Sequence, residues 1–127
     1  MAIANKQNAD FSEVMDGFEG HWTDFGQITA GFETYDADQD VAPLFAGLPD
    51  DACQCDHWGY VVAGKVGFRY TDGTEETIHG GEAYHARPGH TPVFYAGTQV
   101  VEFSPSGEFA KTVEVVTANI AKMEAQA

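Results

Sequence analysis

The chain has 127 residues, 20 of them acidic and only 6 basic, for a net charge of −14 at neutral pH. That balance argues against nucleic acid, whose binding rests on clustered Lys and Arg, and against anionic membrane surfaces. The length suits one domain, 1–127, large enough to hide about two thirds of its unfolded surface, with self-repulsion of the surplus acids favouring solubility.

Residues 1–10 lack a basic start and an apolar run, so no secretory leader is expected. No stretch approaches the roughly 20 apolar residues of a spanning helix, and the expected compartment is the cytoplasm. From Asp10 onward Phe11, Val14, Met15 and Phe18 recur at helical spacing, with Asp10 as N-cap and Gly20 just past the end. This predicts a short amphipathic helix over 10–18. His21 reads as a surface or edge residue, with nothing near it to complete a site. Residues 27–35 alternate apolar and polar, the mark of a strand. Asp36-Ala37-Asp38-Gln39-Asp40 opens like a calcium loop. However, Val41 stands where such a loop has glycine and Gly47 where it has glutamate, so it reads as an acidic loop.

Residues 41–50, with Pro43, Gly47 and Pro49, form a loop into the richest stretch of the chain. Cys53, Cys55 and His57 are spaced by two, and an extended strand puts such residues on one face. Tyr60-Val61-Val62 continues the strand to Ala63, and Gly64 turns it. Alternating segments follow at 66–70, 75–78, 82–86, 92–95 and 98–103, parted by Asp72-Gly73, Gly80-Gly81, Arg87-Pro88-Gly89 and Ala96-Gly97. Strands this short, with turns about every ten residues, indicate an antiparallel sandwich or barrel. At the end Phe109, Val113, Val116, Ile120 and Met123 repeat at four, three, four and three. This is one face of a helix over about 105–124, with Ser104 and Pro105 as N-cap and first residue. Its apolar stripe covers either its own barrel or a sister subunit.

At 53–64 and 80–92 the sequence resembles the cupin superfamily. With Gly64 as the last glycine of the first cupin motif, His57 stands at the glutamate position, Cys53 at the second histidine and Asp51 at the first. In the second motif Gly81 and Gly89 match and Arg87 takes the first proline position. The family histidine falls on Pro92 and the asparagine on Ala96, while His90 lies two residues early. The resemblance covers about 25–105. It implies an all-β, antiparallel double-sheet jelly-roll barrel and a homodimer, and the N-terminal and C-terminal helices read from the periodicity would flank that barrel. It also implies a barrel interior that carries a metal and a small-molecule ligand.

Cys53, Cys55, His57 and His90 are the expected metal ligands, with His85 in reserve. Such N and S donors suit tetrahedral zinc and select against Mg and Ca. Zinc is therefore favoured over the iron or manganese common in the family. The alternative is that the cysteines fill the core as small hydrophobes and His57 is a hydrogen-bonded core histidine. Four protein ligands would close the site; three would leave a place for water and Lewis-acid chemistry. Tyr60, Tyr84, Tyr95 and Glu102 are the candidate pocket-lining residues. The expected function is a metal-binding module that holds a small molecule in the barrel. The alternative is a metal-dependent isomerase, lyase or dioxygenase.

Overall fold

The computed structural model describes residues 2–126. Tight glycine turns delimit ten strands. They are β1 (Phe11–Met15), β2 (Phe18–Asp24), β3 (Ile28–Tyr35), β4 (Gln39–Asp40), β5 (His57–Ala63), β6 (Lys65–Tyr70), β7 (Glu75–His79), β8 (Ala83–Ala86), β9 (His90–Phe94) and β10 (Thr98–Pro105). Two 3-10 turns, Ala42–Phe45 and Pro49–Asp51, lie between β4 and β5, and one helix, α1 (Ser106–Gln126), ends the chain.

The strands form a six-stranded sheet in the order β1-β2-β3-β10-β5-β8 and a four-stranded sheet in the order β4-β9-β6-β7. Every strand pair is antiparallel. The two sheets face each other as a jelly roll. They are the two sheets of the antiparallel double-sheet jelly roll expected from the sequence. The chain crosses between sheets at Gly64, which joins β5 to β6. Its φ of +83° suits glycine, and a side chain there would come within 2.5 Å of Thr98 Oγ1. Thr98 uses that hydroxyl to donate to the Lys65 carbonyl at 2.9 Å, pinning the crossing.

Val61, Val66 and Val100 are fully buried between the sheets. Tyr35 of β3 stacks on Phe94 of β9 with ring centroids 4.0 Å apart, tying one sheet to the other. Such a pair contributes about 0.5–1.5 kcal/mol beyond its buried area.

The helix expected over 10–18 is instead a hairpin. β1 pairs with β2, Phe11 opposite Trp22 and Met15 opposite Phe18. Gly17 makes the turn at φ +80°. Phe11 and Met15, four apart, share a helix face but equally share a strand face. A nine-residue helix is marginal alone. The strand gains a ladder of hydrogen bonds and the stack of Phe11 on Trp22 at 5.2 Å.

The C-terminal helix is present, one residue later at its start than expected; Ser104 and Pro105 belong to β10. Asn119 Nδ2 donates to the carbonyls of Leu44 at 2.8 Å and Ala46 at 2.9 Å, fastening α1 to the loop before β5. The apolar stripe thus covers its own chain. Among the described residues no helix is long and apolar enough to cross a membrane.

Candidate metal centre

Two backbone hydrogen bonds place the first ligand. Cys53 lies before β5, where its N–H donates to the His90 carbonyl at 2.9 Å and its own carbonyl accepts from Gly89 N at 2.8 Å. This isolated bridge sets Cys53 beside His90, the first residue of β9. His57 opens β5 with its ring turned inward between the sheets. All three side chains are buried. One donor atom from each of Cys53, His57 and His90 lies within 4.8 Å of the other two.

Each imidazole is locked by a second partner. His90 Nδ1 donates to the Arg87 carbonyl at 2.6 Å, which leaves Nε2 with a free lone pair. His57 Nδ1 lies 2.9 Å from Glu102 Oε1 and 2.6 Å from Ser104 Oγ. That turns Nε2 toward Cys53 Sγ, 3.5 Å away. Such outer partners orient metal-binding histidines. A sulfur and an imidazole nitrogen on one tetrahedral zinc stand about 3.5 Å apart, from bond lengths of roughly 2.3 and 2.0 Å. The donor set therefore fits a metal of this kind without rearrangement of that pair.

The electrostatics agree with the geometry. Burial raises the cost of a Cys53 thiolate, but hydrogen bonds from His57 and His90 outweigh it and bring the thiol down to about 6 from 9.0. Burial likewise opposes charge on His57, yet Glu102 beside it raises its pKa well above the usual imidazole value. Withdrawal from water works against ionisation of Glu102, but the His57 charge prevails and lowers its pKa.

Cys55, expected as the fourth ligand, does not join this group. The chain bends at Cys55 before β5 begins, so the strict alternation that would align it with Cys53 and His57 is broken. Its sulfur lies against the Asp56 carbonyl at 3.3 Å. Burial and the neighbouring Cys53 push its pKa up, away from the thiolate a metal requires. His85 points outward on β8, stacked on Trp58 at 4.9 Å and bonded to Asp56 at 2.8 Å.

The candidate pocket residues divide. Glu102 faces the cavity. Tyr84 points inward from β8 with its hydroxyl buried against Glu102, behind the cavity wall and not on it. Tyr60 is 47% exposed, because odd-numbered residues of β5 face in and even-numbered ones face out. Tyr95 lies just past β9 on the outer side, its ring 4.6 Å from Lys65 Nζ. Neither Tyr60 nor Tyr95 lines the cavity.

That cavity has a volume of about 340 Å³. The metal-side groups form one polar pole. The rest is mostly apolar, with Phe18 and Phe94 from the sheets and Phe109, Val113, Val116 and Ile120 from α1, interrupted by Glu13, Glu33 and Gln39. Phe109 meets His57 edge-on at 6.2 Å, and Thr112 Oγ1 lies 3.6 Å from Cys53 Sγ, so the helix roofs the site.

Glu33 also lines the cavity and was not among the sequence candidates. Tyr35 donates its hydroxyl to Glu33 Oε1 at 2.5 Å. Withdrawal from water, then the charge of Glu102, raise Glu33 to about 7. The signal was available: Gly31, Glu33 and Tyr35 alternate along β3, and Tyr35 is an inward residue. The polar face of that strand is the inner one.

Two of the three acids at 36–40 are occupied within the fold. Asp38 Oδ1 accepts from Ala96 N at 2.8 Å. Asp40 accepts from Ala42 N at 3.0 Å and pairs with Arg69 at 3.1 Å.

Neither a family model nor a curated protein matches this chain. Solved structures do. KdgF from a Halomonas species is 16% identical, with 83% of this chain and 94% of that one covered and a TM-score of 0.53. An RmlC-like cupin from Shewanella frigidimarina is 17% identical, with 83% and 91% covered and a TM-score of 0.55. The polyketide cyclase RemF from Streptomyces resistomycificus is 14% identical, with 83% and 79% covered and a TM-score of 0.56.

Proposed function

The chain has the cupin fold, and on that premise we propose that it binds a transition metal through Cys53, His57 and His90 and holds a small, largely apolar organic molecule beside it. The observation that carries this reading is the convergence of three buried donors whose two imidazoles are each fixed by a second partner. The thiolate favours zinc over iron or manganese. A thiolate ligand also fits a reducing compartment such as the cytoplasm.

The chain's own groups prepare the site. Glu102 and Ser104 hold His57, the Arg87 carbonyl holds His90, and the two imidazoles favour the thiolate of Cys53. The apolar walls and α1 keep bulk water away from the polar pole. A bound ion of this kind supplies Lewis-acid polarisation of a ligand oxygen.

A second reading, a metal-dependent enzyme, is favoured by one feature. Among the described residues three protein donors converge, which leaves a coordination place toward the cavity, the arrangement of catalytic zinc sites. The polyketide cyclase RemF shares the fold with this chain. Isomerase, lyase and dioxygenase chemistry all remain compatible with three such donors.

The homodimer has a surface to use. The outward side chains of β5 and β10 include Trp58, Tyr60, Val62 and Phe103, all well exposed. No acidic residue falls on the outward positions of β3, β5 or β10. In a chain of net charge −14, this is a face where a second copy meets no like charge, and interface cores are depleted of charge.

The deciding experiment is elemental analysis of protein purified without a histidine tag or chelator. Zinc near one per chain is expected, and absence of any transition metal removes the proposal.

A further inference from the structure

On the wall formed by β2 and β3 the cavity holds a carboxyl that the metal reading leaves unused. Glu33 projects inward from β3, its Oε1 engaged by the Tyr35 hydroxyl at 2.5 Å. Its Oε2 lies on the side of the Trp22 indole, which interacts with the carboxyl and partly offsets the rise in its pKa. Gly31, two residues back on the same face, carries no side chain, and the space it leaves is shared. A point at the position of its missing Cβ is 2.8 Å from Trp22 Nε1 and 3.7 Å from Glu33 Oε2. Trp22 Nε1 is buried, and Glu33 is the polar group nearest to it. Two polar groups thus share one recess beside an otherwise aromatic wall.

Charge balance decides what they offer. No Lys or Arg lines the cavity. The thiolate of Cys53 and the carboxylate of Glu102 together match a doubly charged ion. A third negative charge at Glu33 would have no partner, and an unpaired buried charge is strongly disfavoured. The raised pKa of Glu33 points the same way. Because Tyr35 donates to Oε1, the carboxyl proton belongs on Oε2. Glu33 then presents a donor to the cavity.

We propose that Glu33, positioned by Tyr35, is the second polar anchor of the cavity and donates a hydrogen bond to a neutral oxygen acceptor, such as a ketone, on an apolar and aromatic ligand. The proposal deepens the ligand-binding reading above and rests on it.

Isothermal titration of zinc-loaded protein with 2-acetylnaphthalene tests it, with 2-naphthylmethylamine as the cationic counterpart. Glu33→Gln keeps a neutral donor and an acceptor for Tyr35; Glu33→Leu keeps only bulk. The wild type is expected to bind the ketone, Glu33→Gln to match it within about threefold, and Glu33→Leu to bind at least about tenfold more weakly, the loss that follows when a hydrogen bond to a buried group is removed. Failure of the wild type to bind the ketone overturns the proposal, as does equal binding by Glu33→Leu. So does tighter binding of the amine that Glu33→Gln abolishes, which would mark Glu33 as a carboxylate. Zinc content measured on the same samples separates the two readings. Missing zinc strikes the metal centre, while the ratio between Gln and Leu variants still decides the role of Glu33.

Discussion

His57 presents Nδ1 to Glu102 at 2.9 Å and Nε2 to Cys53 at 3.5 Å, so a single ring links a buried carboxylate to a buried thiol. The carboxylate fixes which nitrogen faces the metal side. Glu102→Gln should therefore weaken zinc binding by about 10- to 100-fold, the usual effect of removing such an outer partner. Competition with a chromophoric chelator measures it; unchanged affinity would show that Ser104 alone orients the ring.

The two cysteines should behave differently. Cys53→Ser is expected to abolish stoichiometric zinc, because the hydroxyl is a far weaker ligand than the thiolate. Cys55→Ser should leave zinc content unchanged, since its sulfur is turned to the Asp56 carbonyl. Plasma mass spectrometry on both variants distinguishes them, and the reverse pattern would refute the assignment of Cys53.

Glu33 predicts a pH dependence of stability. The unfolded chain ionises this group near 4.5 and the folded chain near 7. Between those values the folded state keeps a proton that the unfolded state has lost. Its contribution is therefore fully present below 4.5 and declines as pH rises to about 7. Glu33→Gln removes this decline. The variant should gain on wild type by on the order of 1–3 kcal/mol between pH 4 and pH 8. Urea denaturation at both pH values reads the difference, and a constant gap would contradict the raised pKa.

The outward face of the large sheet gives a prediction about assembly. Sedimentation should find a dimer, and Trp58→Glu, which places a charge among Tyr60, Val62 and Phe103, should yield monomer. A wild-type monomer would exclude the dimer outright.

Calcium should have no effect on thermal melting. Asp38 and Asp40 already accept backbone and arginine hydrogen bonds, so the loop holds no free cluster of carboxylates for a cation.

Much of the fold was legible because β structure with glycine turns leaves local marks. Gly64, Gly73 and Gly97 announced connections that the structure makes with positive φ. The stripe from Phe109 to Ile120 announced the helix. The hairpin of β1 and β2 was not legible, since Phe11 and Met15 satisfy both helical and strand spacing. What separates the two is the partner strand, which sets Trp22 opposite Phe11, eleven residues away.

The sequence by itself determined the pairing of Cys53 with His57 and the alternation that turns His57 inward, since both depend on residues near one another in the chain. Only the tertiary structure decided that His90 joins Cys53, because a long-range backbone bridge sets that register. It likewise decided that a bend takes Cys55 away and that the polar side of β3 faces in. The last point inverts the usual rule for a physical reason. The space between the sheets is here partly a cavity with charged groups on its wall, so Glu33 has partners inside, while Ile28 and Phe32 are left on the outer face.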